Sequence, residues 1–257
     1  MKSQPIGIFD SGVGGVSVAK WVQALMPNED IIYFADTLYS PYGEKPISVV
    51  EERTFAISEM LKELGVKLIV VACNTATVNT ISRLREKLQL PIVGVEPGIK
   101  PACERTKNNQ VGVLATNNTL ASPSFKLLCE QYRNDTNLVM QACPEFVTLV
   151  EQLDLSSEFT QCAIDKYLRP LKEQSCDQIV LGCTHFSFLK NEIAAQAGSD
   201  VQIIDTGMPV AKQVLARLNQ HDLRNTSHNP GTKTILTSGN EQQVTSLVEA
   251  LWHVPLD

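Results

Sequence analysis

The chain lacks the features that would place it in a membrane, on nucleic acid or around a metal. Its longest aliphatic stretch, Leu68 to Cys73, is far too short to cross a bilayer. Met1 to Gly15 has neither the basic start nor the continuous apolar core of a signal peptide, so a cytoplasmic location is expected. Positive charge is scarce: 22 basic against 28 acidic residues leave a formal charge of −6, with the signs interspersed. The basic cluster Arg83 to Lys87 reads as the solvated face of a helix, and a nucleic-acid groove needs more than that. None of the seven cysteines stands in C-x-x-C spacing, and their number is odd. A disulfide framework, a redox motif or a structural zinc site is therefore not expected, and most of the seven should be buried thiols. Nucleotide signatures are missing too. Neither G-x-G-x-x-G nor the Gly-Lys-Ser/Thr ending of a P-loop occurs, and Gly12 breaks the Asp-x-Asp pattern that begins at Asp10.

What is present describes a folded catalyst-sized chain. With 43% hydrophobic and 19% charged residues over 257 positions, it can bury a substantial core in one large domain or two smaller ones. Short runs rich in Ile and Val alternate with helical periodicity, the pattern of an α/β fold with mostly parallel sheets flanked by helices. After Pro46, residues Ile47, Val50, Ile57, Leu61 and Leu64 predict one face of a helix, with Gly65 as its stop.

The chain also repeats itself at an offset of roughly 104 to 110 residues. Ile6–Asp10 answers Val111–Ala115, Ile31–Phe34 answers Leu138–Gln141, Leu68–Thr75 answers Gln178–His185, and Ile92–Glu96 answers Val201–Asp205. Two pseudo-symmetric domains with four parallel strands each are predicted. The remainder, a strand at Thr234–Thr237 and a helix around Val244–Leu251, should pack back onto the first of them. The expected division is residues 1–97 with 208–257, and residues 98–207. Parallel sheets place ligands at the carboxyl ends of their strands, so the site is expected in a cleft between the two.

Those strand ends carry the candidate chemistry. The turn Asp10-Ser11-Gly12-Val13-Gly14-Gly15 leads into a helix near Val16 and can offer backbone N–H groups to an anion. Asp10 is equally readable as a helix cap or as a charge assisting an acid–base group. Cys73 and Cys183 occupy equivalent positions of the repeat, each directly after an apolar strand. Singly, each would pass for a buried structural thiol. Together, across a cleft, they would approach a substrate from opposite sides, as a two-base inversion at carbon demands. A thiol of ordinary pKa, about 8.5, needs help to supply thiolate at neutral pH. Asp10 near the first thiol and His185 near the second are the candidates, although a lone histidine at a strand end is commonly just hydrogen-bonded.

With these motifs in view, the chain resembles the glutamate racemases, a branch of the aspartate/glutamate racemase superfamily, along essentially its whole length. The resemblance rests on Asp10–Gly15, Pro41–Gly43, Cys73–Ala76, Ala115–Thr119, Glu151 after a Leu-Val pair, and Gly182–His185, in that order. It implies that Cys73 and Cys183 are the acid–base pair, serving D- and L-glutamate respectively, with Asp10, Glu151 and His185 assisting. It further implies that Asp10, Ser11, Tyr42, Gly43, Asn74, Thr75, Thr116, Thr119, Thr184 and His185 hold the substrate. These are mostly neutral donors, so no arginine clamp is expected and the negative net charge is no objection. No cofactor and no metal are expected. A homodimer supplying D-glutamate for peptidoglycan is, and no activation by cell-wall precursors, because the first strand begins near Ile6. One departure stands out: Ser187 follows Phe186 where the family commonly has proline, which bears on the stiffness of that helix start.

Three rivals remain at this point. An aspartate or other small-acid racemase would use the same paired thiols. A non-catalytic module sensing an acidic metabolite would need neither cysteine. A pyridoxal-phosphate racemase would need a lysine at one of the strand ends, and none is there.

Overall fold

The computed structural model describes residues 1–256 as two parallel sheets covered by helices. The first sheet contains β1 (Ile6–Asp10), β2 (Ile31–Ala35), β3 (Leu68–Val71), β4 (Ile92–Gly94) and β9 (Lys233–Thr237), in the order β4-β3-β1-β2-β9. The second contains β5 (Gln110–Ala115), β6 (Asn137–Ala142), β7 (Gln178–Gly182) and β8 (Gln202–Ile204), in the order β6-β5-β7-β8. Every pairing is parallel. Read from one edge, β4-β3-β1-β2 and β8-β7-β5-β6 are the same arrangement, so the repeat in the sequence is a repeat of topology. The C-terminal strand adds to the first sheet beside β2, in the register Ile31 opposite Lys233 to Ala35 opposite Thr237.

Each crossover is helical, as parallel pairing requires. In chain order the helices are α1 (Val16–Leu25), α2 (Ile47–Glu63), α3 (Asn74–Lys87), α4 (Ile99–Arg105), α5 (Asn117–Ala121), α6 (Pro123–Tyr132), α7 (Pro144–Glu151), α8 (Glu158–Glu173), α9 (Lys190–Ala197), α10 (Gly207–Gln220) and α11 (Glu241–His253). The central strands β1, β3 and β7 are buried along their whole length, which is why they read as unbroken apolar runs rather than as alternations. Both α10 and α11 pack on α1, so the C-terminal segment does return to the first sheet.

The helix after Pro46 differs from expectation at its ends. Val50, Ile57 and Leu61 are buried, but Ile47 and Leu64 are exposed. Ile47 is the first residue of α2, and Leu64 lies at the C-cap, where the chain already turns away through Gly65 at φ +78°. Arg83, Arg85 and Lys87 lie on the solvent face of α3, with Arg83 paired to Glu51. Among the described residues no helix is long and apolar enough to cross a membrane.

Candidate active site

The end of β3 delivers the first thiol. Cys73 is the N-cap of α3, and its sulfur accepts a long hydrogen bond, 3.5 Å, from the Ala76 backbone N–H. On its other side the thiol donates to Ser11 Oγ at 3.7 Å. Ser11 in turn donates to Asp10 Oδ1 at 3.4 Å, and Asp10 Oδ2 accepts from the Gly15 N–H at 2.9 Å. Asp10 is fully buried at the end of β1.

The end of β7 delivers the second thiol. Cys183 precedes a 3-10 turn, Thr184–Leu189, that runs into α9. Its sulfur lies 3.8 Å from Nδ1 of His185, whose Nε2 is 2.9 Å from Glu151 Oε1 and whose Nδ1 is 4.0 Å from Asp10 Oδ2. A single buried run of polar groups therefore connects the two sulfurs: Ser11, Asp10 and His185. All seven cysteines are free thiols, so no disulfide ties Cys73 to Cys183.

Burial governs the protonation states. Desolvation and then the nearby Asp10 charge push the Cys73 thiol well above its ordinary range, and the hydrogen bond from Ala76 only partly opposes them. Burial first and the Asp10 charge second thus favour the protonated Cys73 thiol. Asp10 itself is raised, chiefly by burial, with the His185 charge opposing. For His185 burial disfavours the cation. The hydrogen bonds to Cys183 and Glu151, with the Asp10 charge, outweigh it and raise its pKa well above the usual value. Glu151 is lowered: burial opposes, but the His185 bond and charge and the Val13 N–H prevail.

By its neighbours in the chain alone, Glu151 could be taken for a surface helix residue. It is the last residue of α7, with its side chain 21% exposed, and it reaches across from the second sheet's half to the first. One oxygen, Oε1, meets His185, the Val13 N–H at 3.1 Å and Ser40 Oγ at 3.4 Å. The glycine-rich turn thus does offer N–H groups to anions, but the anions are the protein's own Glu151 and Asp10. Its glycines answer to close approach. A Cβ on Gly12 would come within 1.9 Å of Glu151 Oε1, and one on Gly14 within 2.2 Å of the His185 ring.

Beyond Cys73, the two halves meet through hydroxyls. Thr75 on α3 lies 2.9 Å from Thr116 and 3.3 Å from Thr119, and the last two are 2.9 Å apart. Thr116 caps α5. Gly43 packs directly on Thr116, leaving no room for a side chain. The Tyr42 hydroxyl donates to Asp36, which is also gripped by Arg53 at 2.9 and 3.0 Å. Asn74 opens α3; its amide nitrogen donates to Val95 O, and its buried Oδ1 accepts no hydrogen bond. The carbonyl of Thr184 accepts from Ser17 Oγ at 3.1 Å, which ties the Cys183 turn to α1. Ser187, where proline was the expected residue, donates to Asp205 Oδ1 at 3.1 Å, so a side-chain bond to the end of β8 anchors this turn.

The two thiols, Ser11, Asp10, His185 and Glu151 thus form one connected group, and Gly43, Thr75, Thr116 and Thr119 another, with Thr75 two residues after Cys73. The reading missed the residues that brace them: Ser17, Ser40 and Asn118, whose partners lie far away in the chain, and the Asp36–Arg53 pair that holds the nearby Tyr42. No local signal marks them. Among the described residues, no group of three or more His, Cys, Asp or Glu side chains is placed to hold a metal ion. The site residues include no lysine or arginine, and the supporting cation Arg53 is bound to Asp36.

The chain is similar to known proteins in sequence and in fold. Residues 17–214 match the family described as Asp/Glu/Hydantoin racemase. A glutamate racemase of Herpetosiphon aurantiacus is 46% identical over 251 residues, covering 98% of this chain and 99% of that protein. Among solved structures, a glutamate racemase isoform from Bacillus anthracis superposes with a TM-score of 0.90 at 30% identity, over 98% of this chain and 94% of that one. The Escherichia coli glutamate racemase in complex with L-glutamate and the activator UDP-MurNAc-Ala gives 0.85 at 33% identity, over 96% and 95%.

Proposed function

The chain belongs to the Asp/Glu/Hydantoin racemase family, and from that premise we propose that it interconverts L- and D-glutamate with Cys73 and Cys183 as the two acid–base groups. The observation that carries the reading is the placement of two free thiols after equivalent strands of two repeated sheets, joined by the buried run Ser11, Asp10 and His185.

Inversion needs one base to take the α-proton from one face and one acid to deliver a proton to the other. With Cys73 protonated, as its burial and Asp10 favour, and Cys183 as the base, L-glutamate becomes D-glutamate. The reverse reaction uses the reverse protonation. His185 is placed to take up or return the Cys183 proton, and Glu151 fixes the ring by holding Nε2. Asp10, reached through Ser11, plays the corresponding part for Cys73. The free acceptor of Asn74 suits the substrate ammonium. The hydroxyls of Thr75, Thr116, Thr119 and Thr184, with the backbone at Tyr42 and Gly43, suit its carboxylates. This chemistry uses no cofactor. The product would serve peptidoglycan synthesis, and the working unit is a homodimer.

The test is racemisation of L-glutamate by purified protein dialysed against a chelator, followed by circular dichroism, with L-aspartate in parallel. Turnover of glutamate, abolished in Cys73→Ala and in Cys183→Ala, is expected. Activity that returns only with pyridoxal phosphate or a metal, or faster turnover of aspartate, would overturn the proposal.

A further inference from the structure

Both thiols are nearly inaccessible, at 5% and 8% exposure, and the hydroxyl triangle of Thr75, Thr116 and Thr119 is buried with them. Substrate therefore enters only when something over the cleft lifts. The segment Pro41–Lys45 packs against this region, with Tyr42 in the same apolar cluster as Cys73. It belongs to the first sheet's half, and Gly43 lies flat against Thr116 of the second. One side chain of the second half holds it down. Asn118, in the first turn of α5, donates both amide protons to it, to Tyr42 O at 2.7 Å and to Lys45 O at 2.8 Å.

The two carbonyls bracket the single 3-10 turn Tyr42–Glu44. Its internal bonds are long, 3.3 Å from Glu44 N to Pro41 O and 3.3 Å from Lys45 N to Tyr42 O. Such a turn holds its shape poorly alone. Tyr42 is fixed from below, where its hydroxyl meets Asp36, and Asp36 is gripped by Arg53. These bonds lie within the first half, so moving the halves apart does not require breaking them. The Asn118 bonds cross between the halves, and lifting Gly43 off Thr116 breaks them.

We propose that Asn118 is a positioning residue, the latch that biases the Pro41–Lys45 segment to its closed place over Thr116 and Thr119. It touches no reacting atom. The inference rests on the glutamate racemase reading for its kinetic test but not for its structural one. Two amide–carbonyl bonds favour closure by roughly tenfold to thirtyfold, and a ligand bound only by the closed form loses affinity by the fraction no longer closed.

In Asn118→Ala, KM for both enantiomers of glutamate should rise about tenfold. The turnover number should stay within about threefold of the parent, or increase where opening limits release. Amide hydrogen exchange across residues 41–46 should quicken by about tenfold without added substrate, while exchange in β1 and β7 stays unchanged. Asn118→Asp keeps the shape but donates to neither carbonyl, so it should show the same pattern and serves if the alanine variant folds poorly. Unchanged KM with unchanged exchange in both variants would overturn the latch, and so would a loss confined to turnover. If the parent chain fails to racemise glutamate, the functional reading falls, and the exchange measurement still decides the latch.

Discussion

Replacing Gly14 with alanine would set a Cβ 2.2 Å from His185 Nδ1, 2.6 Å from Cγ and 2.7 Å from Cε1. Ordinary contact between such atoms is about 3.5 Å, so ring and turn must part by about 1 Å. Neither has slack. The ring is buried and held 2.9 Å from Glu151, and the turn is pinned by the Gly15 N–H on Asp10 and the Val13 N–H on Glu151. A shift of this size breaks the His185–Glu151 bond, a charge-assisted contact worth about 1.5–3 kcal/mol. It also misplaces the imidazole beside Cys183, and a misplacement of about 1 Å costs about a hundredfold in rate. Gly14→Ala should therefore lower kcat about a hundredfold and Tm by roughly 3–12 °C, at about 2–4 °C per kcal/mol for a chain of this size. Circular dichroism in both directions checks it with an internal control. Enantiomers are equal in free energy, so kcat/KM must fall by the same factor for L- and D-glutamate. Turnover within threefold of the parent, at unchanged Tm, would refute the claim that close approach explains this glycine.

Glu151→Gln should lower Tm at pH 7 and move the alkaline decline of stability to lower pH. His185 is raised, so its stabilisation is full below its ordinary pKa of about 6.5 and is lost as pH climbs through the raised value. Glu151 is lowered, so its part is present above about 4.3 and lost as pH falls through the lowered value. An unmoved alkaline limb in thermal melts across pH 6–10 would contradict the coupling. Cys73→Ser should show a larger primary isotope effect with α-deuterated D-glutamate than with the L-form, and Cys183→Ser the reverse, because a hydroxyl makes the step it serves slower. The opposite pattern in rates with deuterated substrates would reverse the assignment of faces. Ser187→Ala removes the bond to Asp205 and should cost about 1 kcal/mol in urea denaturation while leaving turnover within threefold. A hundredfold loss of activity would show that the bond positions the Cys183 turn for chemistry rather than stabilising it.

The sequence by itself determined the strands, their repetition and the two thiols that follow β3 and β7. Those features are local: a buried parallel strand is a short apolar run, and a residue just after it sits at the carboxyl edge of a sheet. Hence Cys73, Cys183 and Asp10 could be placed from their neighbours in the chain, and so could the return of the C-terminal strand and helix. The ends of α2 could not, because periodicity marks the face of a helix and not where along its length that face is covered, so Ile47 and Leu64 came out exposed. Only the tertiary structure turned Glu151 inward, gave Gly12 and Gly14 their reason, and brought Asn118 onto a segment more than seventy residues earlier in the chain. It also showed that burial, with the Asp10 charge second, raises the Cys73 thiol, a direction that no neighbouring residue in the chain reveals. Partners across the two halves are chosen by how the two sheets meet. That meeting depends on distances between side chains far apart in sequence, and no short window of residues encodes them.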